Sequence, residues 1–504
     1  MTSPDQHSST SVGIVGAGAM GRGIAQVTVT GGMTALIYDA ADGAAAKAQE
    51  FVSGMIDRLV EKNRLEADAA AEAKSRLQIV DGLEGLADCD LVIEAIVENI
   101  EIKQQVFKSL EAVLSDDAII ASNTSSIRIA SIASACEKRD RIAGMHFFNP
   151  VPLMRLVEII RAPETSDATA EALSDIGKRM GRTPVAAQDG PGFLVNLGGR
   201  AYTTEGLRLA TECVASPAQI DAVMRDCCGF RMGPFELMDL TGIDVNFPVS
   251  KIVFDGHFHD QRLATSPLHE ALFAAGRYGR KTKAGFFDYA EDGTQSGGGT
   301  AADHVTDVKP PARVILAEDD PELAELISRA GAEVIHADDE QSPIVCAPIG
   351  EDCTAVAVRE GLDHRRLVAI DTLTPSDKRI TIMTAPGADP AARDGIAALL
   401  GSLGLAVTAI ADSPGFIAPR IRAMIANLGC EMAQTGVASP DDIDTAMTLG
   451  LNYPQGPLAL TDAMGPEIVL AVLDSLSAIT ADPRYRPSLW LRRRALLGLS
   501  ALDV

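Results

Sequence analysis

"SVGIVGAGAMGRGIAQVTVTGGMTALIYDA", residues 11–40, is the stretch that decides the fold of the first part of the chain. The apolar run 12–15 predicts a buried strand. It leads into Gly16-x-Gly18-x-x-Gly21, a helix-forming stretch, and a second strand over 34–38 that ends in Asp39. Gly16 permits a tight turn and Gly18 lets the backbone approach a pyrophosphate. Gly21 allows helix and strand to pack closely, with the helix N-terminus facing the phosphates. Ala19 and Met20, between the last two glycines, are counted with this cofactor-binding turn. Asp39 falls 18 residues after Gly21, where a carboxylate bonds ribose hydroxyls and repels a 2′-phosphate, so NAD rather than NADP is expected.

Two more apolar runs, "DLVIEAIVE" (90–98) and "AIIASNTSS" (118–126), predict buried parallel strands of a doubly wound sheet. The C-terminal ends of such strands line a ligand crevice. Residues 43–77, rich in Ala, Glu, Lys and Arg, predict a helical excursion. Its "EKNR" (61–64) offers Lys62 and Arg64 either as partners for a substrate phosphate or as part of a solvated helix face.

At 504 residues the chain exceeds a single core, so three or four domains are expected. Its 44 basic and 69 acidic residues give a formal charge of −25, which argues against a nucleic-acid or anionic-membrane partner. The eight scattered cysteines suggest neither a disulfide framework nor a zinc site, and Cys227–Cys228 reads as a packed helix segment. In "DGHFHD" (255–260), His257 and His259 have no third ligand nearby, so no metal is expected. The first ten residues are polar, unlike a signal peptide, and no apolar run approaches the ~18 residues of a membrane span. The expectation is a soluble, cytoplasmic protein.

The chemistry concentrates in "RIAGMHFFNPVPLMRLVEII" (141–160). His146 ends a short apolar strand, and the prolines of "FFNPVP" force a turn before the chain re-enters a strand carrying Glu158. A carboxylate among Leu156, Val157, Ile159 and Ile160 is costly to bury without a partner. A neighbouring His146 would be that partner, with Glu158 holding one tautomer and stabilising the imidazolium as the ring takes a proton.

In order and spacing, "GAGAMGRGIAQ", "VIEAIVEN", "ASNTSS", "HFFNPVPLMRLVE", "DGPGFLVN" and "RMGPFELMDLTGID" resemble the 3-hydroxyacyl-CoA dehydrogenases over residues 12–290. The resemblance implies that His146 removes the proton from the substrate's 3-hydroxyl with Glu158 paired to it, while hydride passes from C3 to NAD. It implies that Ser125 and Asn196 hold the reacting oxygen and the thioester. Glu98, Lys103, Asn149, Lys281 and Ser125 match positions lining the NAD and substrate cleft, with Lys62 and Arg64 a weaker match to a CoA-facing basic helix. Leu197 stands where the family has a basic residue.

The phrase "DGPGFLVN" (189–196) returns as "DSPGFIAP" (412–419), and a gapless offset of 223 also pairs Ser216-Pro217 with Ser439-Pro440, Asp221 with Asp444 and Asp239 with Asp462. This is an internal duplication. At that offset His146 falls on Ala369, Glu158 on Thr381 and Asn196 on Pro419, and "ARVILAEDDPELAELI" (312–327) has strand then helix without the glycines. The second copy is therefore expected to pack rather than to catalyse, covering the apolar face that single-copy relatives bury in a dimer.

The expected architecture is an α/β Rossmann NAD-binding domain (1–187) followed by an all-α substrate and dimerisation domain (188–290). After a Gly/Ser-rich linker (291–311) come a degenerate Rossmann-like domain (312–411) and a second helical domain (412–504). "RYRPSLWLRRRALLG" (484–498), around Trp490, reads as a capping or interface helix. The expected partners are an acyl-CoA substrate and a second copy in a homodimer or higher homo-oligomer. The candidate substrates are 3-hydroxyadipyl-CoA of phenylacetate breakdown and 3-hydroxybutyryl-CoA of fatty-acid or butanoate metabolism. A sugar-acid dehydrogenase of the same fold and a non-catalytic assembly subunit are the competing classes. No segment is left for a hydratase domain.

Overall fold

The computed structural model describes residues 10–297 and 302–503; the polar stretch 1–9, residues 298–301 of the expected linker and residue 504 lie outside the described residues. An eight-stranded sheet is built from β1 (Ser11–Val15), β2 (Thr34–Tyr38), β3 (Leu77–Ile79), β4 (Leu91–Glu94), β5 (Ile119–Ser122), β6 (Ile142–Phe147), β7 (Leu156–Arg161) and β8 (Thr183–Gln188), in the order β3-β2-β1-β4-β5-β6-β7-β8. Neighbours are parallel except β6 and β7, which run antiparallel. β4 and β5 are buried at every residue, as continuous apolar runs require in a sheet covered on both faces. The helical excursion is two helices, Ala44–Glu61 and Ala67–Ser75.

A small ribbon of β9 (Asp288–Tyr289) and β10 (Gln295–Gly297) precedes a second sheet of β11 (Arg313–Leu316), β12 (Glu333–Ile335), β13 (Ile344–Cys346), β14 (Leu367–Ile370), β15 (Arg379–Met383) and β16 (Ala406–Ile410). Its order is β12-β11-β13-β14-β15-β16, again with a single antiparallel pair, β14 and β15. The second sheet thus repeats the first with two fewer strands. Part of the expected linker is held against it: His304 N donates to Val407 O, and Asp303 pairs with Arg379.

The repeated phrase has one structural job in both copies. Gly192 and Phe193 sit at φ +82° and +48°, and Gly415 and Phe416 at +76° and +53°, so the same left-handed turn is made twice. Asp189 accepts hydrogen bonds from the first-turn N–H groups of Ile129 and Ala130, and Asp412 does the same for Cys353 and Thr354. Carboxylates at helix N-termini satisfy donors that otherwise lack partners.

The chain divides into two compact units, one of Met1–Leu197 with Gly436–Leu451, the other of Gly198–Thr435 with Asn452–Val504. The discontinuity is an exchange between the copies. In the first unit the helix Pro440–Leu451 lies along β7 and β8, with Gln188 N donating to Val437 O at 2.8 Å. In the second, the helix Pro217–Cys228 packs on β15, with Ala411 N donating to Val214 O at 3.0 Å. These are the same bond displaced by the repeat offset, so each helical copy lends this helix to the other copy's sheet. Cys227 and Cys228 end the exchanged helix and are half-buried thiols, as the packed-segment reading anticipates.

Among the described residues no single helix is long and apolar enough to cross a membrane. Among the same residues, no group of three or more His, Cys, Asp or Glu is arranged so that it could hold a metal ion. His257 Nδ1 bonds to Val253 O, and exposed His259 lies 3.3 Å from Asp255.

Candidate active site

The register of β6 on β7 sets His146 opposite Glu158. Both are buried, Glu158 completely. His146 Nδ1 lies 2.5 Å from Glu158 Oε2. The other carboxylate oxygen accepts from Leu194 N (3.1 Å) and Val195 N (2.8 Å), at the start of the short helix Val195–Gly198. This geometry suits an Nδ1–H donor facing an accepting carboxylate, with Nε2 as the ring's other nitrogen. The imidazole is walled by Phe148 and Phe193, at ring-centroid distances of 4.5 and 6.0 Å.

The same turn brings Asn196 in: its Nδ2 donates to Ser125 O at 3.3 Å. Ser125 follows β5, and Asn123 of that segment accepts from Phe147 N. The predicted quartet His146, Glu158, Ser125 and Asn196 is thereby joined through one turn and two strand ends. Asn149 lies exposed on the loop after β6.

At the opposite side of the crevice, a Cβ on Gly21 would stand 1.7 Å from Gly16 O, and one on Gly16 2.5 Å from Ala95 O. A side chain at Gly21 would push the helix off the turn before it, and one at Gly16 would collide with the backbone that follows β4. Around Gly18 nothing lies within 4 Å of a Cβ position, and the helix Ala19–Thr30 has no side-chain cap. That combination leaves N–H groups open for an anion. A cavity of 670 Å³ extends from Gly18 past Asp39, Ala95, Val97 and Ile102. Asp39 accepts from Ala17 N (2.7 Å) and Ala41 N (2.8 Å) at its rim. These residues fit a dinucleotide.

Lys103 is buried: its ammonium lies 2.7 Å from Glu94 and 3.3 Å from Glu98. Burial raises the Glu98 pKa, but the hydrogen bonds from Thr124 and Ser126 and the charge of Lys103 outweigh it, leaving the group below the usual carboxylate range. Glu94, absent from the sequence-based candidates, organises this corner, accepting from Ser122 Oγ, Ile96 N and Lys103. Its only signal was an acid inside the apolar run of β4. Lys62 and Arg64 follow the helix Ala44–Glu61 and are exposed. Lys281 belongs to the second unit, where it lies 2.5 Å from Asp244.

The second copy corrects one sequence alignment. In β14 and β15, Ala369 faces Met383 and Ile370 faces Ile382, so Asp371, whose N donates to Thr381 O, takes the place of His146. The gapless offset had assigned Ala369. The connection between these strands is two residues shorter than that between β6 and β7, which shifts everything upstream of it. Thr381 does replace Glu158, and its buried hydroxyl has no hydrogen-bond partner among the described residues.

The family profile for the 3-hydroxyacyl-CoA dehydrogenase NAD-binding domain matches residues 11–190. That for the family's C-terminal domain matches twice, at 192–289 and 415–500. The chain is 37% identical over 487 residues to the 3-hydroxyadipyl-CoA dehydrogenase of Escherichia coli K12, covering 96% of this chain and 97% of that one. It is 39% identical over 290 residues to the human mitochondrial hydroxyacyl-coenzyme A dehydrogenase, covering 55% and 90%. Among solved structures, 3-hydroxybutyryl-CoA dehydrogenase from Escherichia coli K12 superposes with a TM-score of 0.85 at 34% identity, over 97% of this chain and 98% of that one. The chain therefore belongs to the 3-hydroxyacyl-CoA dehydrogenase family of NAD-dependent enzymes, with the family's C-terminal domain present twice.

Proposed function

We propose that this enzyme oxidises (S)-3-hydroxyadipyl-CoA to 3-oxoadipyl-CoA at a single site built on the first half of the chain. The buried His146–Glu158 pair carries the reading of the chemistry. Glu158 keeps Nδ1 protonated, so Nε2 takes the 3-hydroxyl proton, and the resulting imidazolium is stabilised by the carboxylate behind it. Ser125 and Asn196 hold the reacting oxygen and the thioester carbonyl as neutral donors. Phe148 and Phe193 exclude water from the base.

Gly16, Gly18, Ala19, Met20 and Gly21 would hold the pyrophosphate of NAD, Asp39 its adenine ribose, and Glu98, Lys103, Asn149 and Lys281 the rest of the cleft. When bound, NAD accepts the hydride released from C3. Lys62 and Arg64, exposed on the helical excursion, are assigned to the CoA phosphates.

The adipyl assignment rests on the end-to-end relative named for that substrate. The full-length structural neighbour named for 3-hydroxybutyryl-CoA supports the second reading. A cytoplasmic location and a homo-oligomeric state belong to the same proposal.

NADH formation with the two thioesters, compared as kcat/KM, tests the reading. Preference for the adipyl substrate supports it. Preference for the butyryl substrate replaces it with the second reading.

A further inference from the structure

We propose that the second half retains a ligand site, and that it binds a free monocarboxylic acid with an apolar body through Arg422. A cavity of 400 Å³ lies wholly within the second compact unit, at the small end of the ~300–1,000 Å³ typical of small-molecule sites. Its walls mix apolar side chains, among them Phe230, Leu373, Leu460, Met464 and Ile468, with the polar Thr374 and Gln455.

One cation opens onto it. Arg422 is half-buried on the helix Ala418–Gln434, and among the described residues it forms no ion pair or hydrogen bond. Two residues earlier, Arg420 is saturated by Glu205, Glu212, Ser413 and Tyr485. A guanidinium taken partly out of water without a directly paired carboxylate favours an anion, and its planar fork matches a carboxylate. The thiols of Cys227 and Cys228, also on the wall, are neutral because burial raises their pKa, that of Cys227 to about 12. Asp371 feels the charge of Arg422 but makes no ion pair with it; its carboxylate accepts from Leu373 N and Thr374 Oγ1 and lines a neighbouring cavity.

The placement has a logic within the repeat. Residues 373–375 follow Asp371 as Phe148–Pro150 follow His146, and Arg422 is the repeat counterpart of Gly199. The cavity is therefore walled by the segment that follows the degenerate pair, while Asp371 itself lines the neighbouring cavity. With Asp371 and Thr381 in place of His146 and Glu158, and with a cation where the first copy has glycine, it can bind an acid without transforming it.

Calorimetric titration of the purified full-length chain with hexanoate and with phenylacetate tests the assignment, using Arg422→Met, which keeps the apolar stem, and Ala463→Phe, which fills the cavity and keeps the charge. The expected result is saturable binding that persists when the dehydrogenase site is filled with its CoA thioester. It should weaken at least about tenfold in Arg422→Met and vanish in Ala463→Phe, while both variants keep parental turnover and so report a folded chain. Absence of saturable binding, equal binding by Arg422→Met, or displacement by the CoA thioester would each overturn it. Equal competition by inorganic phosphate would reduce the site to an adventitious ion only.

Discussion

Two helices that follow the first strand of their sheets show what separates the halves. The helix Ala19–Thr30 begins at Gly18, uncapped by any side chain, beside an open cavity. The helix Pro321–Arg329 begins at Asp320, whose carboxylate accepts from Glu322 N and Leu323 N. The second chain segment has filled its own anion site with an anion, and Glu318 and Asp319 beside it add charge that repels a pyrophosphate. The catalytic position follows suit: a His–Glu pair in one copy, Asp371 facing Thr381 in the other. The strand order, the antiparallel step, the left-handed turn and the helix exchange all survive. Packing constrains many residues weakly and tolerates drift, whereas the chemistry hangs on a handful of side chains.

A third contrast runs through the helical copies. Arg420 is fully buried, 2.6 Å from fully buried Glu205 and 2.9 Å from Glu212. The repeat counterparts of Arg420 and Glu205 are Leu197 and Leu428, both buried. One of two equivalent positions has kept an ion pair and the other has become aliphatic.

These contrasts can be broken on purpose. His146→Ala should reduce turnover by ~10²–10⁴ with NADH affinity unchanged in a fluorescence titration; near-normal turnover would remove His146 from the chemistry. Arg420→Met should cost about 3–5 kcal/mol in denaturant unfolding, because Glu205 is left buried without its main partner. Converting both to leucine, as in the other copy, should recover most of that loss. If the double variant is as unstable as the single one, the two positions are not interchangeable.

Asp371 gives a pH-dependent test. Burial raises its pKa to about 6. A carboxyl whose folded pKa exceeds its unfolded value of ~3.9 favours the folded chain below that unfolded value, and the advantage is lost as pH rises through about 6. Asp371→Asn should therefore stabilise the protein above pH 6 by up to about 3 kcal/mol and change little near pH 4. A uniform shift at both pH values would point to packing instead. Asp39→Ala should have the smallest effect, weakening NAD about tenfold and relaxing discrimination against NADP; unchanged preference would show that another group reads the ribose.

The sequence made the first half readable because its signals are local: glycines at fixed spacing, an acid 18 residues on, a histidine and a glutamate flanking a proline turn. Each maps onto one strand end. Less was legible where the determinant is a distant partner. Glu94 looked like part of a strand because the lysine that neutralises it lies one helix away. The helix exchange leaves no mark on the repeat, since both copies keep the same residues whichever sheet they cover. The two-residue slip at Asp371 was invisible because a shortened turn between antiparallel strands leaves the sequence on its far side in register.

The central claim, one working nucleotide site and one closed one, is tested most directly by calorimetric titration of the intact chain with NADH. One NADH per 504-residue chain, abolished by Gly18→Asp, which grafts the second copy's cap residue onto the first, is the predicted result. Two per chain, or one that survives the graft, would contradict it.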